Sequence, residues 1–126
     1  MPAAQVQKMK LLYLMKILTE RTDEEHPLNA AELCRILESE YDIPAERKSV
    51  YRDIAALQEA GLDIEQKTEG APGFYLASRL FELAELKILV DAVQASRSIT
   101  GKKTDELIRK LESLASHEEA RQLQQQ

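Results

Sequence analysis

The chain has 126 residues, 44% of them hydrophobic, enough for one domain of ordinary size with an appendage. Its formal net charge is −5, and residues 1–79 hold ten Lys or Arg against fourteen Asp or Glu, so contact with nucleic acid has to come from a local cationic patch. The single cysteine, Cys34, excludes an internal disulfide and a multi-cysteine zinc site, and in the pattern AELCRIL it reads as a small buried hydrophobe.

Residues 5–21 read as a first helix, with Val6, Met9, Leu12, Tyr13 and Ile17 on one face and Leu14 and Leu18 widening the apolar arc. The charged segment TDEEHPLN, with Pro27, suits a loop. Asn29 then caps a second helix that runs to about Glu40, with Glu32 completing a capping-box pair and Leu33, Ile36 and Leu37 turned inward. YDIPAE makes a turn. A third helix follows over about 46–60 and stops at Gly61. Leu62, Ile64 and Gln66 alternate with Asp63, Glu65 and Lys67 as a short strand, residues 68–73 carry two glycines and a proline as a hairpin loop, and Phe74, Tyr75 and Leu76 return. Three helices and a hairpin in this order predict a mainly α, α+β fold: a winged helix-turn-helix with a two-stranded β wing over residues 1–79.

Residues 80–116 predict a C-terminal helical hairpin that serves as linker and dimerisation segment. Leu83, Leu86, Leu89, Val90 and Val93 make one stripe, and Phe81, Ile88 and Ala92 another nearly opposite, so this helix is expected to be covered on two sides. Residues 100–115, through Leu107, Ile108, Leu111 and Leu114, are candidates to cover one side. A second copy is the candidate for the other, with Phe81, Leu83, Leu86, Ile88, Leu89 and Val93 as the dimerisation residues. The polar residues 117–126 are expected to fray.

The third helix carries the chemistry. With Val50 at zero and about 100° per residue, Ile54 and Leu57 fall within about 40° of it, while Lys48, Ser49, Arg52, Ala55 and Ala56 gather between about 140° and 260°. Cations meet phosphates or guanine edges, and alanines let the backbone approach a major groove closely. Arg52 and Lys48 project furthest from the buried stripe, Ser49 suits a phosphate or base edge, and Arg47 and Tyr51 flank them. Lys67 in the wing is a further DNA candidate, weakened by Glu65 and Glu69 beside it. Asp53 reads as structural, because a carboxylate gains nothing beside phosphates.

RKSVYRDIAALQEAGLDIE followed by GFYL resembles the DeoR-like winged helix at the front of bacterial WYL-domain transcriptional regulators. LFELAELKILVDAVQASRSITGKKTDELIRKLESL looks like the helical linker those regulators place after the wing, so the resemblance spans roughly residues 6–115. It implies a homodimeric transcription factor reading double-stranded operator DNA, with Arg47, Lys48, Ser49, Tyr51 and Arg52 as the binding segment. Two departures stand out. With no Trp the tripeptide that names the WYL domain is absent, so the chain is expected to be a truncated or naturally short form. Glu46 stands where relatives often carry a small hydroxyl residue, and its carboxylate favours the helix N-terminus while repelling a phosphate.

Enzymatic readings find little support. His26 and His117 lack ligand spacing to a second histidine or to a cysteine, and no glycine-rich phosphate loop or nucleophile motif occurs. No catalysis, cofactor or metal is expected. No apolar run reaches about 18 residues and no signal-peptide pattern occurs, so no membrane partner and a cytoplasmic location are expected. The competing functional reading is a winged helix that mediates protein–protein contact or dimerisation without touching DNA, which the acidic net charge keeps open.

Overall fold

The computed structural model describes residues 2–124, which divide into two compact units, Met1–Ser78 and Arg79–Gln126. The first holds α1 (Ala3–Arg21), α2 (Ala30–Tyr41), α3 (Arg47–Glu59), β1 (Ile64–Lys67) and β2 (Gly73–Leu76). The second holds α4 (Leu83–Ala95), α5 (Gly101–Glu112) and α6 (His117–Gln124). A mainly helical chain with one antiparallel hairpin after three helices is a winged-helix-like α+β fold with a helical C-terminal part.

Local chemistry explains the boundaries in the first unit. At the start of α2, the Asn29 side chain accepts from the Glu32 backbone at 2.8 Å, and Glu32 returns the bond to the Asn29 N–H at 3.1 Å. This reciprocal cap satisfies two N–H groups that the first turn leaves open. Asp42 ends the same helix with φ 55° and donates its backbone N–H to Leu37. Gly61 follows α3 at φ 110°, a conformation side-chain-bearing residues rarely adopt.

One core joins these elements. Leu14, Ile17 and Leu18 of α1 meet Leu33 and Leu37 of α2, Val50, Ile54 and Leu57 of α3, and Ile64 and Phe74 of the hairpin. Each such side chain contributes on the order of 1.5–3 kcal/mol on leaving water. The face of α1 that is buried differs from the one its hydrophobic pattern predicts. Leu12 is 55% exposed, whereas Lys10 is only 4% exposed. The arc centred on Leu14 and Ile17 runs through position 10, so tertiary packing placed a cation where apolar periodicity saw a gap.

The wing hairpin pairs Ile64 with Leu76, Glu65 with Tyr75, Gln66 with Phe74 and Lys67 with Gly73. It carries one further rung, outside the hairpin, that the sequence did not announce. Leu28 and Phe74 exchange both backbone hydrogen bonds, at 2.9 and 2.7 Å. This rung explains Gly73, because a Cβ there would lie 2.6 Å from the Leu28 carbonyl carbon and 2.8 Å from the Asn29 nitrogen. Thr22 ties the end of α1 to the same strand, accepting the Leu76 N–H at 3.0 Å.

In the second unit, Leu86, Ala115 and Leu123 form a small core with Phe81, Leu83, Leu111 and Leu114 packed against it. Two sequence expectations change here. Residues 117–124 are helical rather than frayed, with Leu123 only 3% exposed; residues 125 and 126 lie outside the described ones. The signal was present in Ser116-His-Glu-Glu119. The Ser116 hydroxyl accepts the Glu119 N–H at 3.1 Å and Glu119 accepts the Ser116 N–H at 3.2 Å, a capping box in front of α6. The second change concerns Leu86, proposed for dimerisation from its stripe but only 1% exposed within its own chain.

Candidate nucleic-acid interface

The third helix presents two unlike faces because α1 and α2 cover one of them. Val50, Asp53, Ile54 and Leu57 are buried, and Arg47, Lys48, Arg52, Ala55 and Ala56 are exposed. Among the described residues, the side chains of Arg47, Lys48 and Arg52 have no hydrogen-bond or ion-pair partner. Arg52 in particular pairs with neither Asp53 nor Glu59. Three full positive charges thus stand in solvent beside two alanines, and none of the described residues neutralises them by contact.

The inward side of α3 is held by a polar cluster. Lys10 Nζ lies 3.0 Å from Asp53 Oδ2, and the two side chains are 6% and 8% exposed. The same ammonium donates to the Ser49 hydroxyl, and Gln7 Nε2 donates to Asp53 Oδ1 at 2.8 Å. Asp53 Oδ2 gains the ion pair but no aligned hydrogen bond. Ser49 and Asp53 sit one turn apart on α3, so Lys10 and Gln7 of α1 grip that helix at two successive turns. A buried pair of this kind contributes little net stability over an apolar replacement, but it defines one register between the helices.

The cluster assigns parts to two residues differently from the sequence. Ser49 is half-buried, and its oxygen accepts from Lys10, which leaves its proton and one lone pair for an outside partner. Asp53 has its partners in Gln7 and Lys10 rather than in a neighbouring backbone group or an arginine. Lys10 and Gln7 went unnoticed in the sequence, since a lysine and a glutamine in a first helix carry no motif. A recess of about 380 Å³ beside the cluster is lined by Lys10, Glu38, Pro44, Ala45, Glu46 and Ser49. Glu46 makes no side-chain cap bond to α3, so two carboxylates border the N-terminal end of the exposed cationic face.

The remaining site candidates divide as follows. Tyr51 is 49% exposed, and one edge of its ring meets Phe74 of β2, with centroids 5.7 Å apart at 69°. The half-exposed Tyr51 ring is thus supported by the wing. Lys67 is half-buried and donates to the Glu24 carbonyl at 3.1 Å, which ties the wing to the loop after α1. The structure thus gathers Arg47, Lys48, Tyr51 and Arg52 on one surface, with Ser49 at its inner margin and Lys67 tethered elsewhere in the unit.

Of the dimerisation candidates, Leu86 lies in the core of the second unit, Phe81 and Leu83 pack against it, and Leu89 and Val93 are half-buried. Ile88 alone among the six stands in solvent, at 70% exposure. Cys34 packs partly buried against the core of the first unit, where burial raises its thiol above the ordinary value. Among the described residues, no group of three or more His, Cys, Asp or Glu is placed to hold a metal ion, and no helix is long and apolar enough to cross a membrane. Comparisons with protein-family models, with curated proteins and with solved structures gave no match.

Proposed function

We propose that the chain is a sequence-specific, double-stranded DNA-binding transcriptional regulator of the cytoplasm, related to the DeoR-like winged helices of WYL-domain regulators and acting as a homodimer. The observation that carries this reading is the asymmetry of α3. Arg47, Lys48 and Arg52 are exposed and, among the described residues, unpaired beside Ala55 and Ala56, while Lys10 and Gln7 hold the helix at Ser49 and Asp53 along the margin of that face. In the groove, Arg52 and Lys48 read base edges or phosphates and the alanines allow close approach. Tyr51, propped on Phe74, reaches the adjacent backbone. Two copies would place two such helices about 34 Å apart, or a multiple of it, on a pseudo-palindromic site.

Fluorescence anisotropy with a mixed-sequence duplex, followed by operator selection, tests the proposal. Binding at about 50 mM salt that weakens steeply as salt rises supports it, because phosphate contacts release counterions. Absent binding, or binding indifferent to Lys48→Ala with Arg52→Ala, refutes it and leaves a protein-interaction module as the reading. That second reading draws on one structural observation, the exposure of Leu80 and Ile88 in the second unit.

A further inference from the structure

On α4, Leu86 and Val90 point into the chain. By helical periodicity Ile88 projects about 180° from the midpoint between them, with Ala84, Ala92 and Ala95 within about 40° of it. All four are exposed. A solvent-facing helix surface ordinarily carries Lys, Glu and Gln at such positions. Here a single large apolar side chain stands among three small ones.

We propose that this face is covered by a second copy of the same chain, its α4 antiparallel to the first about a twofold axis near residues 89–90. Ile88 of each copy then rests on Ala92 of the other, and Ala84 lies near the partner's Ala95. The proposal rests on the dimeric regulator reading above and gives it a surface. Two features make the face self-complementary. The first is size, because one isoleucine beside alanines fits a reversed copy of itself, the alanines allowing the helix backbones to approach.

The second feature is charge. Lys87 and Asp91 lie on the same edge of the stripe, and among the described residues neither has an ion-pair partner. Antiparallel helices bring like edges together, so each Lys87 faces the other copy's Asp91, and the pair forms twice. On the opposite edge the only charged group is Glu85, whose carboxylate already accepts the Glu82 N–H at 2.9 Å. From Ala84 to Ala95 the stripe is only about 16 Å long, so the contact belongs to the small, weak class of interfaces. Association in the micromolar range is expected without DNA.

Sedimentation velocity of the full chain across that range is the test. The wild type is expected to shift from monomer to dimer, and Ile88→Glu to weaken dimerisation about tenfold or more, the effect of a central anchor. Lys87→Asp and Asp91→Lys singly should each weaken it, and the double exchange should restore it. A wild type that stays monomeric overturns the proposal, as does a dimer unmoved by Ile88→Glu or an exchange that fails to rescue. Should Ile88→Glu not fold, the charge exchange decides alone, since Asp91 is exposed and Lys87 only half-buried. Wild-type binding to the mixed-sequence duplex reports the DNA reading separately: its absence with intact dimers refutes the regulator, not the interface.

Discussion

Removing either member of the Lys10–Asp53 pair should be far more damaging than removing both. The two side chains are 6% and 8% exposed and 3.0 Å apart, so Asp53→Ala leaves an ammonium in the interior with only the Ser49 hydroxyl. Breaking a buried pair in this way costs about 3–5 kcal/mol. For a unit of this size, total stability is about 4–12 kcal/mol, and each kcal/mol moves the melting temperature by about 4–8 °C. Asp53→Ala should therefore lower Tm by at least about 12 °C, with part of the population unfolded at physiological temperature. Lys10→Met should cost somewhat less, because Gln7 still donates to Asp53 at 2.8 Å. The double variant Lys10→Met with Asp53→Leu replaces the pair by apolar groups of similar length. It also removes Asp53 Oδ2, which has no aligned hydrogen bond to lose, and should fall within about 1–2 kcal/mol of the wild type. Urea melts of the wild type, Lys10→Met, Asp53→Leu and their double variant, followed by far-UV circular dichroism, give the coupling energy directly, and Asp53→Ala is measured beside them. Losses that add within about 0.5 kcal/mol, or an Asp53→Ala cost below about 1 kcal/mol, would refute the claim that these charges are buried and paired.

The other expectations concern the interface, the wing and the helix cap. Lys48→Ala and Arg52→Ala should each reduce the slope of log K against log salt by about 0.9 if the residue neutralises a phosphate, and Arg52→Ala should relax base preference if it reads guanine. Gly73→Ala should destabilise the first unit by about 2 kcal/mol or more in urea melts, since its Cβ would sit 2.6 Å from backbone at Leu28; a neutral effect would mean the Leu28–Phe74 rung is dispensable. Asn29→Ala should cost about 1 kcal/mol through loss of the α2 cap. For pH, Arg21 donates to Glu40 at 2.7 Å and holds its carboxyl below the ordinary 4.5. The small stabilisation of this exposed pair is present above pH 4.5 and fades as pH falls through the lowered folded value, so Glu40→Gln should flatten the acid side of the stability profile.

Much of the first unit is legible in the sequence because its signals are local. The Asn29–Glu32 cap, Gly61 after the third helix, and the change from helical to alternating period at Leu62 each depend on residues a few positions apart. The cationic face of α3 is legible for the same reason, since periodicity alone separates Arg52 from Ile54. The α6 helix was equally local, in Ser116 and Glu119, but a polar composition concealed it; one buried residue, Leu123, is enough to dock it.

Sequence by itself therefore determined the first five helices, the strands that pair as the wing, and the outward placement of Arg47, Lys48 and Arg52 on α3. Tertiary structure decided the rest. It buried Lys10 and exposed Leu12 on one helix, since a cation in the interior is tolerable only where Asp53 and Ser49, about forty residues away, meet it. It turned Leu86 inward and left Ile88 outward, because two apolar stripes on α4 look alike until α5 and α6 cover one of them. Periodicity identifies faces; only long-range packing says which face is covered, and by what.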